Sequence, residues 1–314
     1  MDIEEFDPTD EQIHARTQFL SGGNLKINAY AGAGKTRTLT LLAGAAEKPS
    51  LYLAFNRDIV DAAEGEFPKW VTSATTHSVA RAFVTARWAY TDDQLKGIAT
   101  DREISNLLRI TNFTDFSLPF GRPYSPPHLG GLIKRTVRNF TNSSALIPGE
   151  SHVPGIPGLE LLGESERVTK ETEIASVVLP YARRLWDSML DIKSPVPLGH
   201  DGYFKLWTLE EKQLNYDCVY LDEAQDSNAP LLDLLQRQRC QIVYVGDPYQ
   251  SIYTFRGAIN AMTEVQIPHE AALTTCFRFG QAIADAAFKV IRTIGADKPL
   301  QGHPPKKLSA CSGS

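Results

Sequence analysis

The stretch Ala29-Tyr-Ala-Gly-Ala-Gly-Lys-Thr36 sets a lysine and a hydroxyl directly behind a glycine-bearing turn. Gly34, Lys35 and Thr36 fill the end of the pattern G-x-x-x-x-G-K-[ST], with Ala29 standing where the first glycine is usual. A turn of this kind between a strand and a helix aims backbone N–H groups at an anion, and the helix N-terminus adds positive potential. The residues expected to line it are Ala31, Gly32, Ala33, Gly34, Lys35, Thr36 and Arg37. Lys35 would reach the β- and γ-phosphates of a nucleoside triphosphate, and the Thr36 hydroxyl would ligate Mg²⁺. The plainer alternative is a glycine-rich turn with a solvated lysine, which needs strand, helix and the Gly-Lys-Thr triplet to coincide by chance.

A second constellation lies in the other half of the chain. Val219-Tyr-Leu-Asp-Glu223 reads as an apolar strand ending in two carboxylates. Asp222 is placed to hold Mg²⁺ through water and Glu223 to act as general base on an attacking water. Taken alone, the pair also suits the start of a helix, where acidic residues are favoured. Beyond the next apolar run, Gln241-Ile-Val-Tyr-Val245, falls Gln250, whose amide could sense a γ-phosphate. Phe255 and Arg256 follow with an aromatic face and a cation for nucleic acid, or else a core aromatic and a surface arginine.

The elements that must position these groups alternate in an α/β manner. Leu25–Asn28 is a short strand candidate, Thr36–Ala46 a helix, Leu51–Phe55 a buried strand, and Trp70-Val71 the start of another, followed by a helix through Ala86. Residues 89–197 carry the helical pieces Asp101–Ile110, Leu132–Phe140 and Glu171–Asp191, separated by the Pro/Gly-rich stretches Leu118–Gly131 and Ile147–Gly158. Pro180 is expected to kink or divide the last of those helices. From about residue 215 the alternation returns, with strands Cys218–Leu221 and Gln241–Val245 around a Leu-rich helix Pro230–Arg237. The expected division is thus an α/β domain built from 1–88 and 198–295, a mostly helical insertion at 89–197, and a flexible tail at 296–314.

Composition sets outer bounds. The 314 residues suffice for about two domains. A formal net charge of −5 excludes a protein coated in positive charge but not a local basic groove for a single strand. No apolar run is long enough to span a bilayer, and the acidic Met1–Glu5 start differs from a signal peptide. The four cysteines, Cys218, Cys240, Cys276 and Cys311, lack C-x-x-C spacing, so three are read as small core residues in a reducing compartment rather than as zinc ligands.

The order of short motifs resembles the N-terminal motor half of a superfamily 1 helicase of the UvrD/Rep type. Gln12 in Pro8-Thr-Asp-Glu-Gln12 comes first, then the loop ending in Lys35-Thr36, then Ala54-Phe-Asn-Arg57 and Thr75-Thr-His-Ser78. Leu221-Asp-Glu-Ala-Gln-Asp226, Gly246-Asp-Pro-Tyr-Gln-Ser-Ile-Tyr253 and Thr274-Thr-Cys-Phe-Arg278 complete the series. Leu53–Asp58 and His200-Asp-Gly-Tyr-Phe-Lys-Leu-Trp207 look most similar to the F-box DNA helicase branch and its microbial and phage relatives. The resemblance implies a P-loop NTPase fold with a RecA-like parallel sheet flanked by helices, ATP and Mg²⁺ as cofactors, and an intracellular, membrane-free DNA partner protein of replication or repair. It implies that Gln12 contacts adenine, Phe277 stacks on it, and Arg278 reaches the γ-phosphate. It also implies that Phe55, Asn56, Thr76, His77, Phe255 and Arg256 line the path of single-stranded DNA. Each of these has a structural alternative: a Phe after a strand is often core, and His77 could be a phosphate ligand or a satisfied helix-start residue.

The expected function is therefore an ATP-binding motor domain that couples hydrolysis to single-stranded DNA binding and translocation. The resembling helicases use two RecA-like domains, and 36 residues follow Arg278, too few for the second. A partner or a further C-terminal domain is expected to complete the ATP site. The competing expectation is a non-catalytic nucleotide- and DNA-binding regulator derived from a helicase. A small-molecule kinase would explain neither Gly246–Gln250 nor Phe277-Arg278.

Overall fold

The computed structural model describes residues 7–110, 125–211, 213–252 and 258–303, which form two compact units. The first comprises residues up to 76, 213–227 and those from 237 onward; the second comprises 77–212 and 228–236. Of the expected α/β domain, residues 77–88, 198–212 and 228–236 thus lie in the second unit.

A six-stranded sheet forms the heart of the first unit. Its strands are β1 (Leu25–Ala29), β2 (Ser50–Ala54), β3 (Val71–Thr75), β4 (Cys218–Leu221), β5 (Gln241–Gly246) and β6 (His269–Leu273). Their order across the sheet is β3-β2-β4-β5-β1-β6, every neighbouring pair parallel. A parallel sheet is covered on both faces, so its central strands read as unbroken apolar runs. All five residues of β2 and all four of β4 are buried accordingly. The helices α1 (Asp10–Leu20), α2 (Lys35–Ala46) and α3 (Arg57–Ala63) belong to this unit. Their apolar faces join the strands in one core that holds Phe19, Leu39, Leu42, Tyr52, Val60, Tyr220 and Val243. The expected flexible tail begins differently. Ala296 and Leu300 are buried, and Gln301-Gly302 pairs in parallel with Thr275-Cys276; residues 304–314 lie outside the described residues.

The second unit is helical: α4 (Thr76–Arg87), whose first residue belongs to the first unit, α5 (Asp101–Leu107), α6 (Pro126–Thr141), α7 (Glu164–Leu190), α8 (Gly199–Glu210) and α9 (Ala229–Gln236). One expectation is corrected here and one is narrowed. Residues 126–131 open α6 rather than closing a loop, because prolines at the first helical positions lose no intrahelical hydrogen bond there. Pro180 does not divide α7, which runs unbroken for 27 residues. The proline sits on the exposed side, where water can satisfy the carbonyl that its missing N–H leaves over.

A buried lysine braces this unit. Lys205 of α8 is 1% exposed, and its Nζ donates to the carbonyls of Ser143 (2.5 Å) and Ala145 (2.7 Å), just past the end of α6. The ammonium also lies 4.7 Å from the centre of the Phe140 ring. A cation at a helix C-terminus meets the negative end of the helix dipole, and here it also takes up carbonyls the helix cannot. Burial nonetheless holds the Lys205 pKa down at about 8, with Asp233 opposing the shift.

Candidate ATP site and nucleic-acid path

The loop between β1 and α2 turns on two glycines in the left-handed region, Gly32 (φ +73°) and Gly34 (φ +77°). A side chain at either would be strained, and at Gly32 it would also strike Cys276 Sγ and the Arg278 stem at under 3 Å. Gly34 is the N-cap of α2 and offers no side-chain acceptor, so the first N–H groups of the helix face an open cradle. The charge of this loop suits an anion. Ala31, Ala33, Thr36 and Arg37 complete the loop and the first turn of α2; Ala33 is buried and Thr36 half-buried.

The carboxylates arrive from β4. Asp222 is buried, with both oxygens engaged: the Tyr52 hydroxyl donates to Oδ2 (2.7 Å) and the Glu223 N–H to Oδ1 (2.9 Å). Burial, reinforced by the neighbouring Glu223 charge, pushes the Asp222 pKa up to about 6, while Tyr52 and Lys35 pull the other way. Tyr52 is itself driven far above the phenol range, by burial first and then by Asp222. Among the described residues no group of three or more His, Cys, Asp or Glu could cage a metal. Thr36 and Asp222 offer a hydroxyl and a carboxylate, oxygen donors of the kind Mg²⁺ takes together with phosphate and water.

Glu223 adopts the left-handed conformation (φ +50°), unusual for a glutamate. That turn brings its carboxylate to Lys35, Oε1 to Nζ at 3.2 Å. From there an unbroken line of polar contacts crosses the C-terminal ends of β4 and β5. Gln225 Nε2 donates to Glu223 Oε2 (2.7 Å), and the Asp247 N–H donates to Gln225 Oε1 (3.1 Å). Gln250 Nε2 then donates to Asp247 Oδ2 (2.5 Å). Asp247 is buried and its pKa is raised chiefly by that burial, against hydrogen bonds from the Tyr249 N–H and the Gln250 amide. Lys35, Glu223 and Gln250 thus come together, linked by Gln225 and Asp247, which sequence reasoning passed over. Gln225 lies inside a quoted motif, but nothing local marks its amide as the bridge.

Gln12 sits at the opposite rim of the loop. Its side chain closes a capping box with Thr9, accepting from the Thr9 N–H at Oε1 (3.1 Å), while Nε2 donates to Thr38 Oγ1 (3.1 Å). The position a Gly34 Cβ would take lies 3.4 Å from Gln12 Nε2 and 3.4 Å from the Phe277 ring. The Phe277 N–H donates to the Gly32 carbonyl (3.0 Å), which ties this segment to the loop. Phe277 is 43% exposed and Arg278 is exposed beside it. Glu11, one residue before Gln12, was also overlooked. Its carboxylate accepts from the Thr274 N–H (2.9 Å) and hydroxyl (2.6 Å) and from the Thr275 N–H (3.3 Å), holding the strand that leads to Phe277 and Arg278.

The expected nucleic-acid residues are distributed. Phe55 and Asn56 follow β2, and Thr76 follows β3; Ala54 pairs with Thr75, so the three share one edge of the sheet. Phe55 is 40% exposed, Thr76 is buried, and Asn56 Oδ1 caps α3 by accepting from the Ile59 N–H (2.9 Å). His77 belongs to the helical unit. Phe255 and Arg256 lie outside the described residues. Cys218 and Cys276 are buried and Cys240 half-buried, and Cys311 also lies outside. Among the described residues no helix is long and apolar enough to cross a membrane.

Comparison with known proteins agrees with this layout. Residues 197–266 match the UvrD/REP helicase N-terminal domain. The chain is 34% identical over 283 residues to the F-box DNA helicase 1 of Gallus gallus, covering 88% of this chain and 27% of that protein. It is 30% identical over 306 residues to the F-box DNA helicase protein 1 of Schizosaccharomyces pombe, covering 94% of this chain and 34% of that protein. The chain therefore spans about a quarter to a third of the length of these curated relatives. With its parallel sheet, glycine loop and paired carboxylates, this chain is UvrD-like and carries a helicase-type ATP-binding domain.

Proposed function

We propose that this chain is the ATP-hydrolysing motor portion of a DNA helicase, acting on a single strand in an intracellular replication or repair setting. The observation that carries the reading is the line Lys35–Glu223–Gln225–Asp247–Gln250, which starts from the lysine of the glycine loop. A bound Mg²⁺ would supply charge neutralisation at the β- and γ-phosphates. Lys35 would turn from Glu223 to the phosphates, and Glu223, so released, would orient water and accept its proton. Gln250 would register the state of the terminal phosphate and relay it through Asp247. Phe277 offers an exposed ring beside the loop for the base, and Arg278 an exposed cation for developing phosphate charge. Gln12 would have to exchange one of its present partners to meet adenine. Phe55, Asn56, Thr76, His77, Phe255 and Arg256 would form the strand's path, and a partner or further domain would supply the facing wall of the site.

The test is steady-state ATPase with and without single-stranded DNA. Lys35→Ala is expected to abolish nucleotide binding and turnover, and normal turnover in that variant would sink the assignment. Absence of turnover in the wild-type chain even at high enzyme concentration and with DNA would favour the non-catalytic regulator.

A further inference from the structure

The segment His200–Trp207 has no part in the ATP site, yet most of its residues are buried. Within the helical unit it forms α8, and one side of its first two turns is a tray of rings beneath His77. Phe204 stacks on the imidazole, with centroids 4.9 Å apart and planes at 29°. Tyr203 meets the imidazole edge-on, at 6.0 Å and 84°. His200, whose Nδ1 lies 3.0 Å from the Tyr203 hydroxyl, stands 6.3 Å from His77. Tyr203 and Phe204 are each 2% exposed, whereas His77 keeps partial access to solvent. Rings packed at two angles leave the imidazole one orientation, and Lys205 on the same helix fixes α8 against the end of α6.

We propose that α8 is a positioning element for nucleic-acid binding, in which Phe204 and Tyr203 hold the His77 ring in the orientation that meets the strand. The inference rests on the reading above, in which His77 lies on the path of single-stranded DNA. A stacked, pre-set ring loses no rotamer freedom when a strand arrives, and that is where its contribution to affinity arises. Burial, aided by His200, holds the His77 pKa below its ordinary value, while Asp201 opposes this; Arg81 on α4 faces Tyr203 and is paired with Asp92.

A fluorescein-labelled oligothymidylate of about 15 nucleotides, within the span single-strand grooves cover, serves as the probe for anisotropy titrations. The proteins are wild type, His77→Ala, Phe204→Leu, the double variant His77→Ala/Phe204→Leu, and Phe204→Tyr, each checked by thermal melting. Phe204→Leu is expected to weaken binding about tenfold, His77→Ala about as much, and the double variant no further, while Phe204→Tyr keeps wild-type affinity within about twofold. That non-additivity is the signature of one residue acting through the other. If Phe204→Leu fails to fold, Phe204→Met takes its place in the cycle, removing the stacked ring while keeping a side chain of similar bulk. Wild-type binding that survives loss of the tray, or losses that simply add, would overturn this inference alone. No binding by the wild-type chain would overturn the nucleic-acid reading and this inference with it.

Discussion

Gly246→Ala tests the bridge between the two carboxylate strands with a single methyl group. The Cβ of an alanine at 246 would stand 2.4 Å from Gln225 Oε1 and 3.1 Å from the backbone nitrogens of Ala224 and Gln225. An ordinary contact begins near 3.4 Å, so the Gln225 amide has to retreat by about 1 Å. A retreat of that size breaks its bond from the Asp247 N–H, now 3.1 Å, and draws Nε2 away from Glu223 Oε2, now 2.7 Å. One neutral hydrogen bond and one to a charged group are then lost in a buried site, about 2–4 kcal/mol together. Denaturant unfolding should show a loss of about that size, and ATPase turnover should fall at least tenfold while nucleotide affinity changes little, because the glycine loop is untouched. Gln225→Ala removes the closest obstacle as well as the bridge, leaving only the backbone nitrogens at 3.1 Å, from which the backbone must give by a few tenths of an ångström. The double variant Gly246→Ala/Gln225→Ala should therefore be scarcely worse than Gln225→Ala alone, with a coupling of at least about 1 kcal/mol. A Gly246→Ala protein within about 0.5 kcal/mol of wild type, or strictly additive effects in the cycle, would refute the argument that Gln225 joins Glu223 to Asp247.

Other expectations concern separate parts of the molecule. Lys205 has a pKa of about 8 in the native state against an ordinary 10.5, so between those values the unfolded chain binds more protons and native stability rises with pH. Measured against Lys205→Met by urea unfolding, wild type should gain about 3 kcal/mol between pH 7 and pH 10.5; a difference flat across that range would contradict the buried ammonium. Glu11→Ala leaves the Thr274 and Thr275 N–H groups without their carboxylate, and should cost about 2 kcal/mol in stability and weaken nucleotide binding by loosening Phe277 and Arg278. Tyr52→Phe deletes only the hydroxyl that donates to Asp222, and should raise the Mg²⁺ concentration needed for half-maximal ATPase severalfold, with unchanged Mg²⁺ dependence as the contrary result.

The sheet was legible where burial on both faces leaves a run of apolar residues. Cys218–Leu221 is a strand as read; β2 is displaced by one residue at both ends, and β5 runs one residue further than expected. The edge strand β6, His-Glu-Ala-Ala-Leu, was not legible, because only one side of it has a partner and its composition is half polar. The start of α6 was hidden by prolines that mean a turn in one context and the first turn of a helix in another. Within the site, the residues whose backbone makes the motif were readable: Gly34 before Lys35, Asp222 after β4. The connections were not. Gln225 meets Asp247 across 22 residues and Tyr52 meets Asp222 across 170, and such pairings are fixed by strand order, which no local spacing encodes.

The ion pair between Lys35 and Glu223 has a consequence for economy of fuel. Lys35 holds the Glu223 carboxylate, so if Glu223 is the base proposed above, its proton-accepting oxygen is shared with the cation proposed to serve the phosphates. On the proposed reading, an arriving phosphate would draw Lys35 away and free the glutamate in the same movement. Both partners are mostly shielded, at 14% and 27% side-chain exposure, so the pair is neither so buried that it locks nor so wet that it drifts apart. If the chain is the motor proposed above, such a pair would keep it idle until its own substrate releases the base.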